Sequence, residues 1–232
     1  MILNTGIMRK CFPIPAVLTA LFFIMGCSNN QKTPGTATAD SLQQAAPGAK
    51  TKTVVFFGNS LTAGYGLSPS QAFPALIQKK IDSLELPYTV VNAGVSGETS
   101  SGGATRIDWI LRQPLDVFVL ELGANDGLRG IPIAETRNSL QAIIDKVKAK
   151  YPAAKIVLAG MQIPPNMGQS YTTQFRNLYI ELAAKNKLTL IPFLLEGVGG
   201  EAKLNQEDGI HPTEQGHQIL AQTVWTHLQP IL

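Results

Sequence analysis

Only three histidines occur in the 232-residue chain, and one of them, His211, stands in the segment Asp208-Gly209-Ile210-His211-Pro212. An aspartate three residues before a histidine, with a glycine between them to allow a tight turn, can bring its carboxylate back to the imidazole. There it would hold one ring tautomer and stabilise the imidazolium that forms when the ring takes a proton. The same five residues also read as a plain glycine turn with proline at a helix start. His217 and His227 fall in helical patterns, where packing or surface roles suffice.

A base of this kind needs a hydroxyl or thiol to deprotonate. Ser60 is the candidate, in Gly58-Asn59-Ser60-Leu61-Thr62-Ala63-Gly64, directly after the apolar run Val54-Val55-Phe56-Phe57. At such a junction the hydroxyl would sit at the start of the next helix, where free backbone N–H groups favour developing negative charge. Asn59 and Ser60 would serve equally well to turn the chain and cap that helix. Acyl transfer also needs donors aimed at an oxyanion. The backbone N–H of Gly97, in Asn92–Thr99, and the side-chain amide of Asn125, in Glu121–Gly127, are candidates; each loop also reads as an ordinary turn.

These loops need elements that bring them together. Val54–Phe57, Tyr88–Val91, Val117–Leu120, Ile156–Leu158 and Leu188–Ile191 are short, continuously apolar runs, as expected of buried strands. Between them lie amphipathic stretches: Ile133, Leu140, Ile143, Ile144 and Val147 share one helical face, and Phe175, Leu178 and Leu182 form a second stripe. Alternating strands and helices predict an α/β fold with a central parallel sheet and helices on both faces. In such folds the chemistry sits at the carboxyl ends of the strands, where the candidate loops are.

The N-terminal part differs. Arg9 and Lys10 precede an apolar run from Phe12 to Gly26 that stops at Cys27, too short for a bilayer span and of signal-peptide length. Ile24-Met25-Gly26-Cys27 resembles a bacterial lipobox, which implies cleavage before Cys27 and lipidation of that residue; an uncleaved anchor and an ordinary signal cut nearby are the alternatives. The expected organisation is a lipoprotein signal at 1–26, the lipidated Cys27 with a flexible tether at 27–51, and one catalytic domain at 52–232. Cys11 leaves with the signal, so the exported domain has neither free thiol nor disulfide. Loss of Arg9 and Lys10 lowers the formal charge from +3 to +1. A near-neutral surface gives no reason to expect nucleic acid as a partner.

Gly58-Asn59-Ser60-Leu61, Gly97, Gly123-Ala124-Asn125-Asp126 and Asp208-Gly209-Ile210-His211-Pro212 stand in the order and spacing of the sequence blocks of the SGNH, or GDSL, hydrolases, and the chain resembles that family from Thr53 to the C terminus. Val91-Asn92-Ala93, Ser96–Ser100, Glu121–Gly130, Pro164-Pro165-Asn166 and Ile191-Pro192-Phe193 look like its bacterial branch of multifunctional periplasmic thioesterases, lysophospholipases and arylesterases. The resemblance implies a three-layer α/β/α sandwich like flavodoxin. It also implies Ser60 as nucleophile, His211 as base, Asp208 as its orienting carboxylate, and Ser60 N–H, Gly97 N–H and Asn125 as the oxyanion hole. No cofactor or metal is implied. The family usually has Asp before the nucleophile where this chain has Asn59; Asn59→Asp is expected to change kcat/KM by less than about tenfold.

Other reaction classes lack their residues. The Gly-x-Ser-x-Gly of α/β-hydrolases is absent, and Gly64-Tyr65-Gly66 has Pro69 where a dinucleotide fingerprint needs its third glycine. No histidine pair has helical i, i+4 spacing for a metal. The expected function is a serine esterase acting on aryl esters, acyl thioesters or lysophospholipids, as a monomer anchored by lipid in the periplasm or at the cell envelope. Met161–Gln169 and Phe193–Gly200 are expected to flank its site, where their apolar residues would either receive an acyl or aryl group or cover an edge of the core. A carbohydrate O-acetyl esterase of the same fold is the rival, for which Trp109 and Trp225, both in helical patterns and expected in the core, offer no sugar platform. A lipid-anchored binding protein without turnover is the alternative from another class.

Overall fold

The computed structural model describes residues 51–232. The expected signal, Cys27 and all but the last residue of the tether lie outside the described residues. In chain order come β1 (Lys52–Gly58), a single-turn α1 (Ser60–Ala63), α2 (Phe73–Ser83), β2 (Tyr88–Gly94), α3 (Ser100–Ile110), β3 (Val117–Glu121), short α4 (Ala124–Leu128), α5 (Ile133–Lys150), β4 (Lys155–Ala159), α6 (Gln169–Asn186), β5 (Thr189–Ile191) and α7 (Glu214–Leu228).

All strand pairs are parallel, in the order β2-β1-β3-β4-β5. Right-handed crossovers to either side of β1 send helices to opposite faces. Accordingly α2 packs on α7, while α3, α5 and α6 pack in succession on the other side, giving three layers. The order is that of flavodoxin, and the chain reverses direction across the sheet between β1 and β3, leaving a crevice beyond their carboxyl ends.

Burial follows position in the sheet more than apolar composition. In β1 the residues Val54 to Phe57 are buried, and all five residues of β3 are buried. Phe57 packs against Phe118 with ring centroids 5.5 Å apart, and each such fully buried side chain contributes ~1.5–3 kcal/mol. β2 and β5 depart from the expectation of continuously buried strands. They are the two edges of the sheet, so Val91 is 43% exposed and only Ile191 of β5 is buried. The α5 stripe of Leu140, Ile143, Ile144 and Val147 is buried, with Ile133 half-covered at its first turn; Phe175, Leu178 and Leu182 of α6 are buried as well. Trp109 corrects a second expectation. It lies on the outer side of α3 at 65% exposure, whereas Trp225 of α7 is in the core.

Gly58 ends β1 beside Glu121, which ends β3. A Cβ at Gly58 would come within 2.1 Å of Thr62 Oγ1 and 2.5 Å of Glu121 Oε2. Only glycine lets these two strand ends close on the turn that carries Ser60.

Candidate active site

Ser60 stands where β1 gives way to α1. Asn59 caps that turn through its side-chain oxygen, which accepts from Leu61 N–H at 2.9 Å. Since α1 is only four residues long, the expected help from a helix start reduces to individual N–H groups rather than a sustained dipole.

The His211 loop is closed by an isolated bridge between Asn205 and Pro212 and leads into α7, whose first turn Thr213 caps by accepting from Gly216 N–H. Gly209 takes φ 72°, a left-handed value that lets Asp208 fold back. Asp208 Oδ1 then accepts the backbone N–H groups of Ile210 and His211, both at 3.0 Å, and Oδ2 lies 2.6 Å from His211 Nδ1. The hydrogen bond from the His211 ring, followed by those two backbone bonds, holds the Asp208 carboxyl down at about 2. An ionised carboxylate only accepts, so Nδ1 carries the ring proton and Nε2 is left as an acceptor. The Ser60 hydroxyl reaches that nitrogen at 2.9 Å.

Gln206 ties the two loops together. Its side-chain amide donates to Tyr65 O at 2.7 Å on the serine side and to Pro212 O at 3.0 Å on the histidine side, and its N–H donates to His211 O at 2.7 Å. The Tyr65 ring lies beside the imidazole, with centroids 4.5 Å apart.

Gly97 and Asn125 come to the same cleft as Ser60. The Asn125 amide donates one hydrogen to Glu98 O at 2.9 Å, which orients it and leaves its second hydrogen free of that bond. Among the described residues the backbone N–H groups of Ser60 and Gly97 find no protein acceptor. Arg106 holds the Gly97 loop from below: its guanidinium donates to both Glu98 carboxylate oxygens and, at 2.8 Å, to Ala93 O.

The cleft beside Ser60 has a volume of about 640 Å³. Met161–Pro165 and residues of Phe193–Gly200 form its wall, as expected, and Tyr65, Leu128 and Ile210 form an apolar, part-exposed rim. Trp109, though exposed, is not among its lining residues. Among the described residues no three His, Cys, Asp or Glu side chains come together as metal ligands would.

Residues 56–219 match the profile of the GDSL-like lipase/acylhydrolase family. The chain belongs to that family. Esterase TesA of Pseudomonas aeruginosa is 41% identical over 191 residues, 82% of this chain and 92% of its own length. Thioesterase 1/protease 1/lysophospholipase L1 of Escherichia coli K12 is 38% identical over 185 residues, 79% of this chain and 86% of its own. A crystal structure of TesA matches with a TM-score of 0.75, covering 78% of this chain and 100% of that one. As a GDSL family member with these relatives, the chain is a carboxylic ester hydrolase.

In this hydrolase three residues near the serine escaped the sequence reading: Glu121, Gln206 and Tyr65. Glu121 had a signal, since a charge closing an otherwise apolar buried run must find partners. Glutamine in a polar loop and tyrosine in a glycine-rich turn had none.

Proposed function

We propose that this hydrolase is a serine esterase in which Ser60, His211 and Asp208 form the catalytic triad. The observation that carries the reading is the continuous chain from Ser60 Oγ to His211 Nε2, 2.9 Å, and from His211 Nδ1 to Asp208, 2.6 Å. Ser60 Oγ bonds to the ester carbonyl carbon while His211 takes its proton, and the resulting oxyanion is met by the N–H groups of Ser60 and Gly97 and the Asn125 amide. Collapse breaks the bond to the alcohol or thiol, which leaves with the proton from His211. Water, deprotonated by the same imidazole, then releases the acid and restores Ser60.

The apolar wall and rim of the cleft support a substrate with an acyl or aryl group: aryl esters, acyl thioesters or lysophospholipids. Residues 1–26 are read as a lipoprotein signal and Cys27 as the lipidated first residue, anchoring a monomeric domain at 52–232 in the periplasm or at the cell envelope. No helix among the described residues is long and apolar enough to cross a membrane. Mass spectrometry of the mature N-terminal peptide tests this, with loss of acylation expected in Cys27→Ser.

An active-site phosphonate tests the triad. Stoichiometric labelling of Ser60 that disappears in Ser60→Ala and His211→Ala is expected; a folded protein that resists labelling would favour a binding role without turnover. A series of p-nitrophenyl esters, with a lysophospholipid and an acetylated sugar alongside, tests the substrate class. Preference for the acetylated sugar would overturn it.

A further inference from the structure

Beneath Ser60 lies a charge that the triad does not use. The Glu121 side chain is fully buried at the end of β3, at the β1–β3 switch of the sheet. Its carboxylate accepts four hydrogen bonds, all from the turn that holds Ser60. Oε1 receives Asn59 Nδ2 at 2.7 Å, while Oε2 receives Asn59 N–H at 3.1 Å, Thr62 N–H at 3.2 Å and the Thr62 hydroxyl at 2.7 Å. These donors bracket the nucleophile in sequence, one residue before it and two after.

The partners also settle which way the Asn59 amide points. Leu61 N–H can only donate, and it donates to Asn59 Oδ1 at 2.9 Å, so the amide nitrogen must face Glu121. Ser60 Oγ lies 3.4 Å from that same oxygen. One amide therefore links the carboxylate below, the backbone after the nucleophile and the nucleophile itself.

We propose that Glu121 is the positioning residue of the nucleophile, and that Asn59 is the donor that lets a single carboxylate stand there without a second charge. This rests on Ser60 being the nucleophile. Asn59 N–H, Asn59 Nδ2 and Thr62 N–H cannot reverse their bonds, which leaves the Thr62 hydroxyl as the one partner able to accept from a protonated carboxyl. Burial pushes the Glu121 carboxyl up to about 7, opposed by the bonds from Thr62 and Asn59. The charged or titratable groups on the surrounding elements are Tyr179 of α6, Asp126 of α4, the Arg106–Glu98 pair on and before α3, and His211 across Ser60. None of them hydrogen-bonds the Glu121 carboxylate among the described residues.

A carboxylate introduced at position 59 would replace the amide nitrogen that now lies 2.7 Å from Glu121 Oε1. Two carboxylates at that distance must share a proton, and when it leaves they repel. The tenfold limit expected for Asn59→Asp from the sequence then applies only while the pair keeps its proton. A carboxamide introduced at 121 has the opposite fault. Whichever way it turns, its NH₂ faces donors, either Asn59 Nδ2 or the two backbone N–H groups.

The test is the cycle N59D, E121Q and N59D/E121Q, followed by kcat, KM and pH profiles on a p-nitrophenyl ester. E121Q is expected to lower kcat about ten- to hundredfold with little change in KM. N59D is expected to gain an alkaline limb that the parent lacks, losing activity once the shared proton leaves the pair. In the double variant the new carboxylate accepts from the new carboxamide, so the limb disappears and kcat recovers above that of E121Q. Parent-like kcat in E121Q, an N59D profile parallel to the parent's, or additive losses in the double variant would each overturn the proposal. Phosphonate labelling of Ser60 in the parent separates that failure from failure of the triad.

Discussion

His211 Nε2 lies 2.9 Å from Ser60 Oγ across 151 residues of sequence, and the bond joins the start of α1, just after β1, to the loop before α7. The ring is oriented from its other side by Asp208, so the nitrogen facing the serine is an acceptor. Protonation of that nitrogen removes the acceptor. kcat/KM for a p-nitrophenyl ester is therefore expected to fall on acidification as His211 takes a proton. A profile that stays flat across the acid range, down to about pH 4, would rule out a histidine base.

Asp208 contributes in a setting that is more open than its geometry suggests. Its side chain is 37% exposed, although all three of its donors belong to Ile210 and His211. Asp208→Asn forfeits the ionised acceptor for Nδ1–H and allows the wrong tautomer, a change worth ~10⁴ in the buried case. Solvent at Asp208 can replace part of that stabilisation. The expected loss in kcat is thus between about 10² and 10⁴, with KM nearly unchanged. Steady-state kinetics on the folded variant check it.

Asn125 is held by Glu98 O, which fixes the amide before substrate arrives. A donor oriented in advance needs no reorganisation when the oxyanion forms, and its loss falls on the transition state. Asn125→Ala is expected to lower kcat by roughly 10² to 10³ while phosphonate labelling of Ser60 slows in proportion. Loss of binding alone, seen as raised KM at constant kcat, would remove Asn125 from this role.

The residues that could be read in the sequence share one property: they lie in the short segments and single turns that join the long regular elements, where type alone limits what they can do. Ser60, Gly97, Asn125, Asp208 and His211 are of this kind; the structure brings four of them to one cleft and sets Asp208 against His211. The alternation of apolar runs and stripes was likewise enough for a parallel α/β sheet. Which strands are edges was not legible, because strand order arises from pairing between distant segments, and the single threonine in each of the β2 and β5 runs does not mark an edge. Trp109 failed for a related reason, since a helical pattern does not say which face meets the core. Glu121 and Gln206 act through bonds to Asn59, Thr62 and Tyr65, partners 59 to 141 residues away.

Two buried groups pull stability in opposite directions with pH. His217 is buried with its Nδ1 accepting from Phe73 N–H at 3.1 Å, and burial lowers its pKa from 6.5 to about 4. Between those values the unfolded chain binds the extra proton, so this contribution is complete above 6.5 and is lost as pH falls toward 4. Glu121 is raised from 4.5 to about 7, so there the folded state binds the extra proton. Its contribution is complete below 4.5 and is lost as pH rises through 7. From about pH 5 to about pH 6.5 the two slopes, each up to ~1.4 kcal/mol per pH unit, nearly cancel. Urea unfolding across that range is expected to show a stability for the parent that these two groups leave almost level. Glu121→Gln should lose stability on acidification, since only the histidine slope remains, and His217→Asn should gain it. The sign of the slope is the measurement, because either substitution lowers the absolute stability by breaking a buried hydrogen bond. Equal slopes in all three proteins would mean that neither group titrates as its burial dictates.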